Sequence, residues 1–368
     1  MQVKNNYNEC LTNLACSIEK YFGLIPKHNT LSYIDELLEK EQPENVVVIL
    51  FDGLGSKILD KTLKEDSFLR QHKYKDLTTV FPATTTAATT SMQTGLNPIE
   101  HGYLGWNVYV EPIDKVITLY LNTEKGKLTP AGDFLALKNK YYKFKSIPEQ
   151  IEEQGLGHGI ELFPFQKEIY HGVDDMLVNI KSFTTKPGKK YIYAYDEEPD
   201  HTMHDFGPDS KEAKELIKER NEKLEKLCKN LANTIVFVIA DHGHKKVEPI
   251  FLNDYKDILA MLERTTSLEQ RAASFKIKED YKNQFVDKFN EYFGKDFTLY
   301  KKEEVIESNL FGDGKPHPLF TSALGDYIAI ADESNKCLIA DGDSFLVSQH
   351  AGYSPDEIYV PLIIINQK

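Results

Sequence analysis

Carboxylate and imidazole side chains lie together at two points of the sequence. The segment Asp200-His-Thr-Met-His204 places a carboxylate and an imidazole four residues apart, so one helical turn would direct both at the same point. This spacing suits a pair of metal ligands. In Asp241-His242-Gly243 the two ligand types are adjacent, and they converge only if the backbone turns sharply, which Gly243 permits. Taken singly, either motif could also be a solvated loop with a capping Asp.

The elements that must position these residues are short apolar runs that end in acidic residues. The runs are Asn45–Phe51 before Asp52, Lys190–Tyr195 before Asp196, and Thr234–Ala240 before Asp241. Such β-branched runs are typical of buried parallel strands, and a charged helical stretch from Ser210 to about Asn230 would connect the last two. We therefore expect an α/β fold with a mostly parallel central sheet, helices on both faces, and a ligand site beyond the carboxyl ends of the strands.

A threonine-rich segment follows the first predicted strand. Seven of the eleven residues from 84 to 94 are Thr or Ser, Pro82 and Ala83 introduce a helix, and Gly95 ends it. Because Thr is a weak helix former, this composition indicates a functional or tertiary reason for hydroxyl groups, and the first turn offers free N–H groups to a phosphate. The alternative is that Thr84 only caps the helix and the other hydroxyls bond back to carbonyl groups.

Composition limits the function further. The chain has 368 residues and a formal net charge of −13, which argues against a nucleic-acid or anionic-membrane partner. No apolar run approaches the roughly 20 residues that span a bilayer. The N-terminus has no apolar signal region, and the four cysteines form no close pair, so we expect a cytoplasmic protein with reduced thiols. The sequence does not specify the oligomeric state.

Residues 266–330 look like a small α+β insertion that caps the core. Within them we predict a strand from Ala272 to Lys278, a helix from Glu279 to Phe293 and a strand from Phe297 to Tyr300. The catalytic core would then comprise residues 1–265 and 331–368. The polar stretch from about 108 to 183 shows no clear alternation of elements and is left without an assignment.

Five separate elements, in order, resemble the alkaline phosphatase superfamily, and within it the nucleotide pyrophosphatase/phosphodiesterase branch. They are Asp52, the threonine run before Gly95, Glu197-Glu-Pro-Asp200 followed by His204, Asp241-His242-Gly243, and His350-Ala-Gly-Tyr353. In this family the nucleophile lies ten positions before the glycine that ends the helix. That count selects Thr85, with Thr84 and Thr86 as alternatives.

The resemblance implies two divalent metal ions. One ion would be held by Asp200, His204 and His350, and the other by Asp52, Asp241 and His242 with Thr85; only the family pattern makes His350 a ligand. Such mixed sets suit catalytic Zn²⁺, and Mn²⁺ or Fe²⁺ remain alternatives. The implied reaction is hydrolysis of a phosphate ester through a covalent phospho-threonine, because a metal-bound Thr85 hydroxyl becomes nucleophilic.

The expected substrate is a small-molecule phosphodiester, and nucleotide-like diesters are the first candidates. Asn107 matches the position where this branch places a neutral amide against a nonbridging oxygen, although it could equally be a turn residue. A monoesterase would normally recruit an Arg, for which Arg271 is the candidate if it does not simply pack the cap. His201 and His244 are expected to lie behind the ligands or at the surface.

Three alternatives remain open beside the phosphodiesterase. One is a phosphomonoesterase, and a second is a phosphonate hydrolase or phosphomutase of the same superfamily. The third is a catalytically silent protein that keeps a structural metal site.

Overall fold

The central sheet of the computed structural model, which describes residues 5–164 and 172–368, has six strands. Their order across the sheet is Lys73–Thr78, Tyr359–Gln367, Thr234–Ile239, Asn45–Phe51, Lys190–Asp196 and His158–Leu162. The last four run parallel to one another, whereas Tyr359–Gln367 is antiparallel to both of its neighbours. The mostly parallel α/β sheet expected from the sequence is confirmed.

The register of the parallel strands places acidic residues together at one edge of the sheet. Phe51 pairs with Asp196 and Leu50 pairs with Ile239, so the three predicted strands end side by side. Every residue of Asn45–Phe51 is buried, which shows that both faces of the sheet are covered. Asp52 and Asp241 therefore leave the sheet as neighbours.

Two of the helices that surround the sheet correspond to clear helical patterns in the sequence. The amphipathic helix Leu11–Phe22 packs against Thr85–Thr94, and Lys211–Cys228 connects two parallel strands. The described residues contain the α-helices Leu11–Phe22, Ser32–Glu41, Ser56–Thr62, Phe68–His72, Thr85–Thr94, Pro98–His101, Gly132–Tyr141, Ile147–Glu153, Val173–Thr184, Asp200–Phe206, Lys211–Cys228, Lys256–Met261, Lys282–Phe293, Lys302–Glu307, Phe320–Ala323 and Pro355–Ile358.

A second sheet is antiparallel and larger than the predicted insertion. Its strands, in spatial order, are Thr298–Lys301, Tyr327–Ile330, Ala272–Phe275, Ser267–Leu268, Asn107–Val110, Lys115–Thr118 and Thr123–Glu124. The predicted helix begins at Lys282 after a 3-10 turn, and the first predicted strand ends at Phe275.

Residues 107–124, predicted from the sequence to belong to the core, join this second sheet, and the division into core and insertion stays a prediction. Leu268 pairs with Asn107, so this segment extends the same sheet as the residues of the insertion. This connection could not be predicted from the sequence, because strand pairing across about 160 positions leaves no local pattern.

Two short strand pairs complete the framework, Glu248–Phe251 with Lys336–Ile339 and Lys245–Lys246 with Ser348–Gln349. All four cysteines are buried and unpaired. No described helix has the length and apolar character needed to cross a bilayer. The cytoplasmic location stays a prediction.

Candidate active site and metal centre

The predicted metal ligands lie together at the carboxyl edge of the central sheet. Asp52 follows the strand Asn45–Phe51, and its carbonyl oxygen accepts a hydrogen bond from the Asp200 N–H at 3.0 Å. This bond places the start of the helix Asp200–Phe206 beside Asp52. The strand Ser348–Gln349 pairs with the residues that follow His244, which brings His350 to the same place.

The first group of ligand atoms comes from Asp200, His204, His244 and His350, which can each offer one atom within 4.8 Å of the others. His204 Nε2 lies 3.3 Å from Asp200 Oδ2, and His244 Nε2 contacts Asp200 Oδ1. His244 is thus part of the group, whereas the sequence predicted a position behind the ligands or at the surface. Its inward direction follows from the bond between His244 Nδ1 and the Ser348 hydroxyl at 2.9 Å.

The second group consists of Asp52, Asp200 and His242, with Asp241 beside it. His242 Nε2 lies 3.2 Å from Asp52 Oδ1 and 3.5 Å from Asp241 Oδ2. Because Asp200 belongs to both groups, the two sets of ligands have this residue in common and lie side by side. This arrangement suits two neighbouring cations.

The histidine rings are oriented by backbone carbonyl groups. His204 Nδ1 lies 2.8 Å from the Ser348 carbonyl, His350 Nδ1 lies 3.0 Å from that of Ala83, and His242 Nδ1 lies 3.1 Å from that of Gly243. A carbonyl can only accept, so each Nδ1 carries the hydrogen and each neutral ring leaves Nε2 free for a metal ion.

The carboxyl groups in this centre need positive charge. Burial, together with the charge of Asp200, holds the pKa of Asp52 well above its usual range, and burial beside Asp52 does the same for Asp241. Asp241 Oδ2 is buried and accepts no hydrogen bond from the described residues. No Lys or Arg of the described chain lies within 4 Å of these carboxylates. Divalent cations would satisfy all of them.

The pKa values of the neighbouring groups shift in both directions. Burial alone would raise the pKa of Asp200, but His204 and His244 outweigh it and hold that pKa well below its usual value. Burial would lower the pKa of His204, yet Asp200 raises it to about 9. Burial lowers the pKa of His244 to about 4, and burial beside His242 lowers that of His350.

Thr85 is the hydroxyl that the structure presents to this centre. Its Oγ1 lies 3.2 Å from His242 Nε2 and 3.3 Å from Asp52 Oδ2, at the first residue of the helix Thr85–Thr94. Other threonines of the helix bond back to carbonyl groups, as the alternative interpretation predicted. The Thr89 and Thr90 hydroxyls donate to carbonyl groups four residues earlier. Thr84 precedes the helix without a side-chain cap bond.

The centre opens into a cavity with two lobes that meet at Thr85, Trp106 and Asp200. The aromatic lobe, of about 460 Å³, is lined by Tyr103, Trp106, Tyr120, Phe144, Phe163 and Tyr195. The polar lobe, of about 700 Å³, is lined by Asn107, Thr118, Lys127, Glu269, Gln270 and Gln349. A substrate with two different groups on one central atom would fit such a cavity.

Asn107 lies in the polar lobe with its amide held in place. Its Oδ1 accepts a hydrogen bond from the Thr118 hydroxyl at 2.7 Å, so the amide N–H groups are left for another acceptor. The hydroxyl of Tyr195 donates to Asp52 Oδ2 from the wall of the aromatic lobe. Sequence reasoning missed Tyr195, which reads as one more apolar residue of a strand.

Arg271 does not face the cavity. It is fully buried and binds Glu357 through two hydrogen bonds of 2.6 and 2.8 Å, so it has a packing role and is not a phosphate ligand. His201 lines both lobes from an exposed position outside the ligand groups.

Comparisons with known proteins agree with this geometry. A family model described as type I phosphodiesterase/nucleotide pyrophosphatase matches residues 46–131 and 146–352. Human ectonucleotide pyrophosphatase/phosphodiesterase family member 5 is 25% identical over 340 residues, which cover 84% of this chain and 66% of that relative. The chain thus spans slightly less than two thirds of the curated relative.

Solved structures share the fold. The murine ectonucleotide pyrophosphatase/phosphodiesterase 5 superposes with a TM-score of 0.65 at 22% identity, and the human protein with 0.65 at 21%. An inactive threonine-to-alanine variant of the murine protein in complex with AMP gives 0.64 at 21%. Each comparison covers 87% of both chains. The resemblance inferred from the motifs is confirmed, and this chain belongs to the type I phosphodiesterase/nucleotide pyrophosphatase family.

Proposed function

We propose that this protein is a metal-dependent phosphodiesterase that acts through a covalent phospho-threonine at Thr85. The observation that carries the proposal is the position of the Thr85 hydroxyl, 3.2 Å from His242 Nε2 within a buried group of carboxylates and imidazoles. A nucleophile, a ligand set and the free N–H groups of a helix start meet at one point, as phosphoryl transfer requires.

The proposed metal ligands are two sets of three. Asp200, His204 and His350, with His244 beside them, would hold one ion, and Asp52 and His242, with the neighbouring Asp241, would hold the other. Zn²⁺ is the first candidate, and Mn²⁺ or Fe²⁺ are alternatives. Bound ions would supply Lewis-acid stabilisation of the reacting oxygens and lower the pKa of the nucleophile.

Residues of the chain have different roles in the proposed reaction. The Thr85 oxygen attacks phosphorus in line, and the leaving oxygen departs on the opposite side. The Asn107 amide, held by Thr118, donates to a nonbridging oxygen as its negative charge grows. Water releases the phosphoryl group from Thr85 in the second step. The buried position of these groups strengthens each electrostatic contact.

The cavity favours a diester over a monoester. Arg271 is bound to Glu357, so the described lining of the cavity offers no arginine to a dianionic phosphate, whereas Asn107 is a neutral donor suited to a monoanion. Six aromatic side chains in one lobe fit a planar group such as a nucleobase. The AMP complex of the murine relative, in an inactive threonine-to-alanine variant, supports a nucleotide-like substrate.

The test compares turnover of bis(p-nitrophenyl) phosphate, p-nitrophenyl phosphate and a p-nitrophenyl phosphonate monoester. Zinc-loaded protein should prefer the diester, and both chelator treatment and Thr85→Ala should abolish turnover. Thr86→Ala, the neighbouring hydroxyl, serves as the matched control and should retain activity. Preference for the monoester would favour a phosphatase or mutase, and preference for the phosphonate a phosphonate hydrolase. Turnover that survives stripping, or no turnover at all, would contradict the proposal.

A further inference from the structure

Two lysines lie beside the polar lobe, and each forms an ion pair. Lys125 Nζ lies 2.9 Å from Asp343 Oδ1 with both side chains almost completely buried. Lys127 lines the lobe and binds Glu124 Oε2 at 2.8 Å, with its own side chain more than half exposed. The buried ammonium group of Lys125 is therefore not available to an anionic substrate, and that of Lys127 lies at the exposed rim.

Glu269, in contrast, faces the lobe without a cationic partner. Its Oε1 accepts a hydrogen bond from the Trp106 N–H at 2.7 Å, which fixes the carboxyl group beside a residue that lines both lobes. Among the residues that the structure describes, no Lys, Arg or His nitrogen lies within 4 Å of this carboxyl. Burial raises the pKa of Glu269 to about 7, with the Thr84 hydroxyl and the Trp106 N–H acting in the opposite direction, so a cation placed beside it would favour its ionised form.

The metal centre does not supply spare positive charge to this lobe either. Two bound divalent ions would bring four positive charges, which the carboxylates of Asp52, Asp200 and Asp241 and an ionised Thr85 would balance. The monoanionic phosphodiester and the Asn107 amide would then meet a centre without surplus charge. A second anionic group on the substrate would lie in the polar lobe, where the described lining includes the carboxyl groups of Glu269 and Asp343, the latter paired with Lys125.

We propose that Glu269 determines which group a diester places in the polar lobe, and selects a neutral or cationic alcohol over a phosphate or carboxylate. The inference rests on the proposed phosphodiesterase function and narrows it: the preferred substrate joins a planar group, held by the aromatic lobe, to an uncharged or positively charged alcohol. A polyphosphate group, which brings at least two further negative charges, is disfavoured by the same carboxylate.

The test uses three diesters of AMP whose alcohols carry a positive charge, no charge and a negative charge, the first two being isosteres. The alcohols are choline, its uncharged isostere 3,3-dimethylbutanol, and 4-hydroxybutanoate, and AMP release is followed by chromatography. We expect kcat/KM to fall about tenfold from the choline to the dimethylbutyl ester and about tenfold again to the carboxylate ester, the effect of one partly screened charge.

Glu269→Gln keeps the acceptor for the Trp106 N–H and removes the charge, so it should make the three rates equal within about twofold. Glu263→Gln, an exposed position on the same segment, removes the same charge outside the cavity and should leave the ratios unchanged. If Glu269→Gln does not fold, the wild-type preference for choline over dimethylbutyl should still shrink as ionic strength rises.

The outcomes separate the inference from the function on which it rests. Equal wild-type rates, a preference for the carboxylate ester, or unchanged ratios in Glu269→Gln would overturn the role of Glu269 while leaving the phosphodiesterase intact. No hydrolysis of any diester, including bis(p-nitrophenyl) phosphate, would instead contradict the phosphodiesterase itself.

Discussion

The second carboxylate oxygen of Asp241 is the clearest sign, at the level of single residues, that the centre is built for cations. It has no hydrogen-bond donor among the described residues, while Oδ1 accepts from the backbone N–H groups of Gly53 and His242, each at 3.0 Å. The carboxyl is therefore oriented by the backbone and left unsatisfied toward the ligand group.

We expect Asp241→Asn to change stability with opposite signs in the two forms of the protein. Without metal, the amide relieves the repulsion with Asp52, so the free energy of unfolding should rise at neutral pH, where the raised pKa of Asp241 makes its ionised form unfavourable. With zinc, the variant should lose the ligand and unfold at lower urea than the loaded wild type. Urea titrations of both forms check this, and a variant less stable in both would show that Asp241 has an ordinary structural role.

The metal-free protein should also become less stable between pH 6.5 and pH 9. The folded pKa of His204 is raised to about 9, so its contribution is complete below the unfolded value of about 6.5 and disappears as pH rises through 9. The raised pKa values of Asp52 and Asp241 act in the same direction. Urea midpoints across this range should fall in stripped wild type, and less steeply in His204→Gln; an equal slope in both would contradict the assignment.

At the scale of the elements, the reason for a glycine in the Asp241-His242-Gly243 turn differs from the one that the sequence indicated. Gly243 does not have a left-handed backbone; instead a Cβ there would lie 2.0 Å from the Asp356 carbonyl, and its N–H donates to the Glu357 carbonyl at 2.9 Å. The glycine is needed because the helix Pro355–Ile358 lies directly against the turn.

Gly243→Ala should therefore push the ligand turn and this short helix apart. We expect a loss of zinc affinity of at least tenfold, together with lower stability, since His242 is displaced from Asp52. Competition with a chromophoric chelator measures the affinity. The matched control is Gly132→Ala, where a Cβ would meet nothing within 4 Å. Wild-type affinity in Gly243→Ala would mean that the two elements separate without moving His242.

The sequence predicted the elements that obey local rules. The runs before Asp52 and Asp241 are strands because β-branched residues repeat without interruption, and parallel pairing then places their ends together. The inward position of His244 and the carboxyl of Glu269 depend on pairing between distant segments, Lys245–Lys246 with Ser348–Gln349 and Asn107 with Leu268. Such pairings have no local signature, so these residues could not be placed from the sequence.

At the scale of the whole molecule, one buried ion pair links the second sheet to the loops of the metal centre. Arg271 binds Glu357 through two bonds and also donates to the Lys336 carbonyl, while Glu357 accepts from the backbone N–H of Gly352, two residues after His350. Both side chains are fully buried. The pair thus holds the His350 loop against the second sheet.

Arg271→Lys should not restore this link, because an ammonium group lacks the planar geometry for two parallel bonds. We expect both Arg271→Lys and Arg271→Ala to reduce stability, the latter by about 3–5 kcal/mol, since Glu357 is left charged and buried. Thermal denaturation of the loaded protein measures the effect. The double variant Arg271→Met/Glu357→Leu should recover part of the loss, and a double variant less stable than either single one would argue against an isolated charge as the cause.

The antiparallel strand Tyr359–Gln367 has a consequence for how the chain is made. It lies inside the central sheet, between Lys73–Thr78 and Thr234–Ile239. Until the ribosome has released these residues, the earlier strand has no partner and the parallel strands keep an open edge that invites pairing with other chains. The nascent protein therefore remains exposed to misassembly until Tyr359–Gln367 has been made, and the His350 loop lies next to the strand that then closes the sheet.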